Sequence, residues 1–338
     1  MRIEPKIEQI REWLRQPRDI VILSHRNPDG DALGSCLAMR SFLEQMGQSV
    51  KVCLPSEYPV NFEWMAGAKD ILVYDIHPEE CKQVIERSNL VICCDFNSLD
   101  RIDKMGELIQ LHSDAPSLLI DHHIDPEPFA DEVFSDPMAS STCELIVELI
   151  EMMGEEDRLN RDVAEACYTG LVTDTGRFKH ALTPKVFEIA AKLLRAGVRD
   201  QMIIDKIFNS NSEKQLRLLG YALYERLEVL EDYDTAIISL TKEDYKRFSI
   251  SRGDTEGIVN YMLTMPHIRL AAFITEQPTI TKYSLRSKGD LSVQEMARKH
   301  FNGGGHKNAS GGAARKPLQK AIDDFKKVLP EYTKRSIL

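Results

Sequence analysis

The sequence predicts a doubly wound, mostly parallel α/β sheet, followed by a helical connector and a second, smaller α/β domain. Three observations carry this. Short β-rich runs alternate with longer segments of helical spacing through the first half of the chain. Several of those runs are apolar almost without interruption, as in Leu90-Val91-Ile92-Cys93-Cys94, which suits parallel strands covered on both faces. The length, 338 residues, exceeds the usual size of one compact core, so a second domain is expected.

Taken in order, Asp19-Ile20-Val21-Ile22-Leu23-Ser24 reads as the first buried strand. Leu37, Met39, Phe42, Leu43 and Met46 place a helix over Gly34 to Met46. Ser49 to Leu54 predicts a second strand and Ile71 to Asp75 a short third. Ser88 to Asp95 and Pro116 to Asp121 predict two more. Ala139 to Met153 reads as a helix with Ser140, Ser141 or Thr142 as candidate cap. Asp162 to Thr173 is another, ending at Asp174-Thr175-Gly176. The pattern then stays helical from Pro184 to about Leu230. Strand signals return at Asp234–Leu240, Ile268–Thr275 and Thr279–Leu285. The expected division is therefore 1–185 for the first domain, 186–230 for the connector and 231–338 for the second domain.

Composition narrows the function classes. No apolar run reaches the roughly 18 residues needed to cross a bilayer. Met1-Arg2-Ile3-Glu4-Pro5-Lys6 lacks the apolar core of a signal peptide. A cytoplasmic location with no membrane partner is the expectation. The seven cysteines are scattered and form no Cys-x-x-Cys pair, so they read as small buried hydrophobes in a reducing compartment. Net charge is −10, whereas a protein that grips long duplex DNA usually carries a basic surplus. A small phosphate-bearing ligand, held by a few cations or by metal ions, remains compatible with that balance.

His and Asp residues fall where such a ligand would bind. His25, Asp29 and Asp31 lie just past the first strand, Asp95 ends the Leu90–Cys94 run, and Asp121, His122 and His123 end the Leu118–Ile120 run. In an open parallel sheet, ligands bind outside the carboxyl ends of the strands. Each motif has an ordinary alternative. Asn27-Pro28-Asp29-Gly30 is a good turn, Asp121-His122-His123 could cap a helix or sit solvated, and Asp174-Thr175-Gly176 could stop a helix. Their occurrence together, in order, on strand ends points to a site. Crowded carboxylates repel one another unless cations neutralise them. A mixed imidazole and carboxylate set suits manganese or a similar borderline ion better than magnesium alone. Ligands for two ions are present, and such pairs recur in phosphate-ester hydrolysis.

These residues resemble a known family. Ser24-His25-x-x-Pro28-Asp29-Gly30-Asp31-Ala32-x-Gly34-Ser35, then Asp95, then Asp121-His122-His123, then Thr173-Asp174-Thr175-Gly176 resemble the DHH phosphoesterase superfamily. Gly303-Gly304-Gly305-His306-x-x-Ala309-Ser310-Gly311 resembles the signature of its DHHA1 domain. The resemblance implies two Mn2+ ions per chain, with Mg2+ or Co2+ as substitutes. One would be held by His25, Asp29 and Asp95; the other by Asp31, Asp95, His122 and Asp174, with Asp95 bridging. It further implies that His123 contacts the scissile phosphate or donates a proton, and that Asp121 orients its neighbours. His123, Asp95 and Asp121 are thus the expected catalytic group.

The second domain is expected to hold substrate. Gly304 and Gly305 sit in a loop whose amides would approach an anion, with His306 beside them. Arg286, in Ser284-Leu285-Arg286-Ser287-Lys288, is similar in context to a family arginine that meets a substrate phosphate. Arg101 is a further candidate in the first domain. The function implied is hydrolysis of very short single-stranded RNA or DNA, from an end, to mononucleotides, together with dephosphorylation of 3′-phosphoadenosine 5′-phosphate. The alternative is a phosphodiesterase for signalling dinucleotides such as pApA or cyclic di-AMP. A homodimer is compatible with either.

Overall fold

A computed structural model describes residues 1–111, 115–251 and 253–333, with the His306 side chain outside the described set. The chain divides into two compact units, Met1–Ser210 and Asn211–Leu338.

The first unit is built on six strands: β1 (Asp19–Leu23), β2 (Ser49–Leu54), β3 (Leu72–Val73), β4 (Leu90–Cys94), β5 (Ser117–Asp121) and β6 (Glu132–Ser135). All five pairings are parallel, in the order β3-β2-β1-β4-β5-β6. The chain winds outward from β1 to β3 and returns to the other side of β1 with β4, so the order reverses between β1 and β4. Strand periodicity explains the unbroken apolar runs. Ile20, Ile22, Ile92 and Ile120 enter one core, beneath α2 (Gly30–Gln45), α5 (Thr142–Met152) and α6 (Arg161–Asp174). Val21, Leu23, Val91 and Leu119 enter the core on the opposite face, under α3 (Pro78–Arg87) and α4 (Lys104–Leu111). Helix α1 (Ile7–Leu14) packs Ile10, Trp13 and Leu14 into the first of these cores. All seven cysteines are buried and none is in a disulfide. Among the described residues, no helix is long and apolar enough to cross a membrane.

Several elements depart from the sequence pattern. Helix α2 begins at Gly30, not Gly34, because Asp29 caps it: its side chain accepts from the Asp31 and Ala32 amides at 3.0 and 3.1 Å. The third strand is only two residues long. Strand β6 and helices α1, α3 and α4 are short, at four, eight, ten and eight residues, and give little room for a periodic pattern. In α3, for example, only Cys81 and Ile85 are buried.

Helices α2 and α6 approach closely beneath the sheet rim at Gly170. A Cβ there would lie 2.4 Å from Asp31 Oδ1 and 2.3 Å from Cys143 Sγ. Gly170→Ala should therefore destabilise the protein by roughly 2–3 kcal/mol, read as a lower urea midpoint at unchanged slope. An unchanged midpoint would contradict this packing.

The segment 186–230 is divided between the units and forms no separate connector. Helices α7 (Pro184–Arg195) and α8 (Asp200–Phe208) bury Val186, Ile189, Leu193 and Ile203 in the first unit's core. Helix α9 (Glu213–Glu225) buries Leu218 and Ala222 in the second unit. Residues Leu227–Leu230 then form strand β7 where the pattern read as helix.

The second unit's sheet has the order β11-β12-β10-β9-β8-β7. Strands β8 (Thr235–Leu240) and β9 (Leu270–Glu276) pair parallel; β10 (Thr281–Ser287), β11 (Gly304–His306) and β12 (Ala309–Ala314) continue antiparallel. Between β8 and β9 lie α10 (Lys242–Arg247) and α11 (Ile258–Met262). One face is covered by α12 (Val293–His300) and α13 (Leu318–Tyr332), the other by α9 and α11. The glycine run expected as a loop is thus an edge strand. A Cβ on Gly303 would lie 1.9 Å from the Gly311 carbonyl and one on Gly305 2.6 Å from that of Ala309, so these two glycines serve the close pairing with β12. Among the described residues, nothing lies within 4 Å of a Cβ built on Gly304.

Candidate active site

The site lies at the carboxyl ends of β1, β4 and β5, beside the point where strand order reverses, the expected place for a ligand in an open α/β sheet. Each element ends in a way that aims a side chain. After β1 the chain passes Ser24 and presents His25, then turns through Asn27, at φ 55°, to the Asp29 cap of α2. Asp31 is therefore in the first turn of α2 and fully buried. Asp95 follows β4 in the left-handed region, φ 65°, a conformation Asp tolerates better than most residues, and its amide donates to the Ile120 carbonyl at 3.0 Å. Asp121 closes β5, so His122 and His123 swing out over the rim. Asp174 is the last residue of α6.

These residues converge into three groups whose candidate ligand atoms lie within 4.8 Å of one another: His25, Asp29 and Asp95; Asp31, His122 and Asp174; and Asp95, His122 and His123. Asp95 is common to the first and third, with its two oxygens turned in different directions. Oδ2 lies 3.4 Å from His25 Nε2, while Oδ1 lies 3.6 Å from His122 Nε2 and 3.8 Å from His123 Nδ1. His122 Nε2 is also 3.2 Å from Asp174 Oδ2 and 3.9 Å from Asp31 Oδ2. Most of these separations are too long for good hydrogen bonds but suit donors that share an ion.

The imidazoles are oriented for the same task. His25 Nδ1 meets the Arg26 carbonyl at 2.9 Å and His122 Nδ1 meets that of Ala139 at 3.4 Å. A carbonyl can only accept, so Nδ1 carries the hydrogen in each ring and Nε2 is turned to the carboxylates. His123 Nδ1 meets Asp121 Oδ1 at 2.7 Å. The donor set thus fits a divalent ion: oriented imidazole nitrogens and carboxylate oxygens, those of Asp31 and Asp95 buried, with no sulfur among them.

Burial and crowding shift the charges of this cluster. Burial opposes the His25 cation, but Asp95 and Asp29 outweigh burial and raise its pKa to about 8. The Asp31 carboxyl is pushed up to about 7 by burial and by repulsion from Asp95. Asp174 is pushed well above the carboxylate range by burial, Asp31, Asp29 and Asp95. Asp95 goes the other way: burial opposes its anion, but His25, His123 and His122 hold it below the usual range.

These shifts set a pH dependence. The folded pKa of His25 exceeds its ordinary 6.5, so its contribution is complete below 6.5 and disappears as pH rises through about 8. Asp31 is raised from 3.8, so its contribution is complete below 3.8 and is lost as pH rises through about 7. Metal-free protein should therefore melt at progressively lower temperature between pH 6.5 and 8.5, and Mn2+ should suppress the decline because cations replace the protons. Thermal scans with chelator and with manganese check this. A flat metal-free profile would contradict it.

The remaining predicted residues lie as follows. Arg101 is on a short 3-10 turn, Leu99–Ile102, where its carbonyl accepts from the Arg26 amide at 2.9 Å and its charge opposes protonation of His25. Arg26 itself is committed to Asp75 and Asp103. In the second unit, Arg286 is on β10 between Ala271 and Ala309; its Nη1 donates to the Leu285 carbonyl, and burial lowers its pKa despite Glu256. Gly304 and Gly305 are in β11, and the His306 side chain lies outside the described residues.

Two groups in the site were not singled out in the sequence. The amides of Thr142 and Cys143, at the start of α5, donate to Asp31 Oδ2 at 2.6 Å and Oδ1 at 3.0 Å, and the Thr142 hydroxyl donates to Asp95 Oδ1 at 3.0 Å. The Ser140-Ser141-Thr142 run was legible only as a capping signal. Ser141 is that cap, accepting from the Glu144 amide at 3.1 Å.

Comparison with known proteins places this arrangement. Residues 19–171 match the sequence profile described as DHH family, N-terminal domain, and residues 234–335 that of the DHHA1 domain. The bifunctional oligoribonuclease and PAP phosphatase NrnA of Bacillus subtilis is 28% identical over 297 residues, covering 86% of this chain and 88% of that protein. The cyclic-di-AMP phosphodiesterase GdpP of Geobacillus thermodenitrificans is 26% identical over 94% of this chain, which spans 49% of that protein. Among solved structures, an exopolyphosphatase-related protein from Bacteroides fragilis matches with a TM-score of 0.93 and 38% identity, over 96% of each chain.

Proposed function

We propose, for a chain that belongs to the DHH family and carries a DHHA1 domain, that its substrates are very short oligonucleotides and 3′-phosphoadenosine 5′-phosphate, cleaved with two manganese ions. Membership makes it a hydrolase of phosphoester bonds. The observation that carries the two-ion reading is Asp95, whose separate oxygens face the His25 side and the His122 side. His25, Asp29 and Asp95 would hold one ion; Asp31, Asp95, His122 and Asp174 the other. Such ions supply positive charge against the phosphoryl oxygens and lower the pKa of water toward neutrality. Mixed imidazole and carboxylate ligands favour manganese, with Mg2+ or Co2+ as substitutes.

His123, anchored by Asp121, would contact the scissile phosphate and hold the proton for the departing oxygen. Arg286 suits a terminal phosphate: among the described residues its guanidinium has no carboxylate within salt-bridge distance. Arg286→Ala should raise KM and lower kcat/KM by roughly 10–100-fold with a smaller change in kcat, the loss of one charge-assisted contact. Steady-state kinetics would show this, and an unchanged KM would remove Arg286 from the substrate site.

Near full-length similarity to the B. subtilis protein supports the substrate class, and the net charge of −10 supports a small substrate over a long strand. Similarity to the cyclic-di-AMP phosphodiesterase favours one second reading, hydrolysis of pApA or cyclic di-AMP. The test is a panel of labelled RNA dinucleotide, 3′-phosphoadenosine 5′-phosphate, pApA and cyclic di-AMP, each with manganese. Mononucleotide and phosphate release from the first two is expected. Turnover confined to pApA or cyclic di-AMP would favour the second reading, and no release from any would overturn both.

A further inference from the structure

Thr142 is fully buried, and it touches the carboxylates of Asp31 and Asp95. Its hydroxyl donates to Asp95 Oδ1 at 3.0 Å, and its amide donates to Asp31 Oδ2 at 2.6 Å. Asp31 Oδ1 is taken by the next amide, that of Cys143. The amides of Thr142 and Cys143 are helix-end donors that lack intrahelical partners, so the Asp31 carboxylate satisfies them and they fix its plane.

The hydroxyl is a different matter. Ser141 already caps α5, so the helix does not need the Thr142 side chain. What the hydroxyl does is fix the rotation of the Asp95 carboxylate. A carboxylate shared by two ions must send one oxygen toward each, and free rotation about its last bond would cost that alignment. Here the bond to Oδ1 leaves Oδ2 facing His25. The side chain is branched at Cβ, which restricts its own rotation and keeps the donor in place.

We propose that Thr142 is a positioning residue for the two-ion site, its hydroxyl orienting the Asp95 carboxylate so that each oxygen serves one ion. This rests on the two-manganese reading above. Thr142→Val keeps the shape and the amide but removes the donor. Outer partners of metal ligands typically control affinity by about 10–100-fold, so manganese should bind this variant more weakly by that factor at one or both sites. At saturating metal, kcat should fall while KM is little changed, because Thr142 orients Asp95 without touching substrate. Thr142→Ser, which restores the hydroxyl, should recover most of both.

Calorimetric titration of chelator-stripped protein with MnCl2 reads the affinities without turnover, and electron paramagnetic resonance of the loaded protein reads whether the two Mn2+ ions remain magnetically coupled. Wild-type protein should bind two coupled ions; Thr142→Val should bind more weakly or lose the coupling. Circular dichroism checks the fold, with Thr142→Ala as a second removal variant should the valine prove disruptive. Wild-type binding of two ions, matched in affinity, coupling and kcat by folded Thr142→Val or Thr142→Ala, would overturn the positioning role alone. Wild-type protein that binds no manganese would overturn the metal reading and this inference with it.

Discussion

Asp95→Ala is expected to leave a folded protein whose manganese-dependent hydrolysis is lowered at least 10³-fold, about 4 kcal/mol of barrier. Among the described residues, Asp95 belongs to two of the three ligand groups. Its loss would leave the first ion with His25 and Asp29 alone, and Asp29 is already engaged in capping α2. The variant should also lose much of the pH dependence of metal-free stability, because Asp95 is the main group that raises His25. Circular dichroism, kcat with saturating manganese and thermal scans in chelator measure the three effects. Activity within tenfold of wild type would show that Asp95 is not the shared ligand of the site.

Asp174→Asn should have opposite effects with and without metal. In the metal-free protein Asp174 is partly shielded from solvent beside Asp31, Asp29 and Asp95, and desolvation together with those charges pushes its carboxyl well above the carboxylate range. An amide of the same shape removes the charge that causes the conflict, so the metal-free variant should melt at a higher temperature than wild type at pH 7.5. With manganese the order should reverse. A ligand at a hundredfold excess over its Kd stabilises by about 3 kcal/mol, and the variant should lose most of that increment at the Asp31–His122 group. Turnover should fall by roughly 10²–10³-fold, on the scale of losing one preorganised electrostatic partner. Thermal scans of both proteins, with chelator and with manganese, contain the whole test. A variant less stable than wild type without metal would show that Asp174 serves the fold.

The parallel sheet was legible because β4 and β5 are buried along their whole length, so burial on both faces wrote itself as unbroken apolar runs. The site was legible because its side chains follow strand ends in chain order. Local signals misled where one residue serves two ends. Asp29 reads as a turn residue and a ligand, yet it also caps α2, which moved the helix start back to Gly30. The glycine run read as a loop whose amides approach an anion, whereas Gly303 and Gly305 are glycines because β12 leaves no room for a Cβ. Helical periodicity from Pro184 to Leu230 carried no mark of which core each helix enters; that is settled by tertiary packing of Val186 and Ile203 on one side and Leu218 on the other. Thr142 was hidden for a related reason: its partners, Asp31 and Asp95, are 111 and 47 residues away in sequence.

A manganese titration of chelator-stripped protein, counting bound ions while following release of mononucleotide from an RNA dinucleotide, tests the two-ion site most directly. No turnover is expected in the stripped protein, with recovery that tracks the binding of two ions per chain. Full turnover by the stripped protein would contradict it.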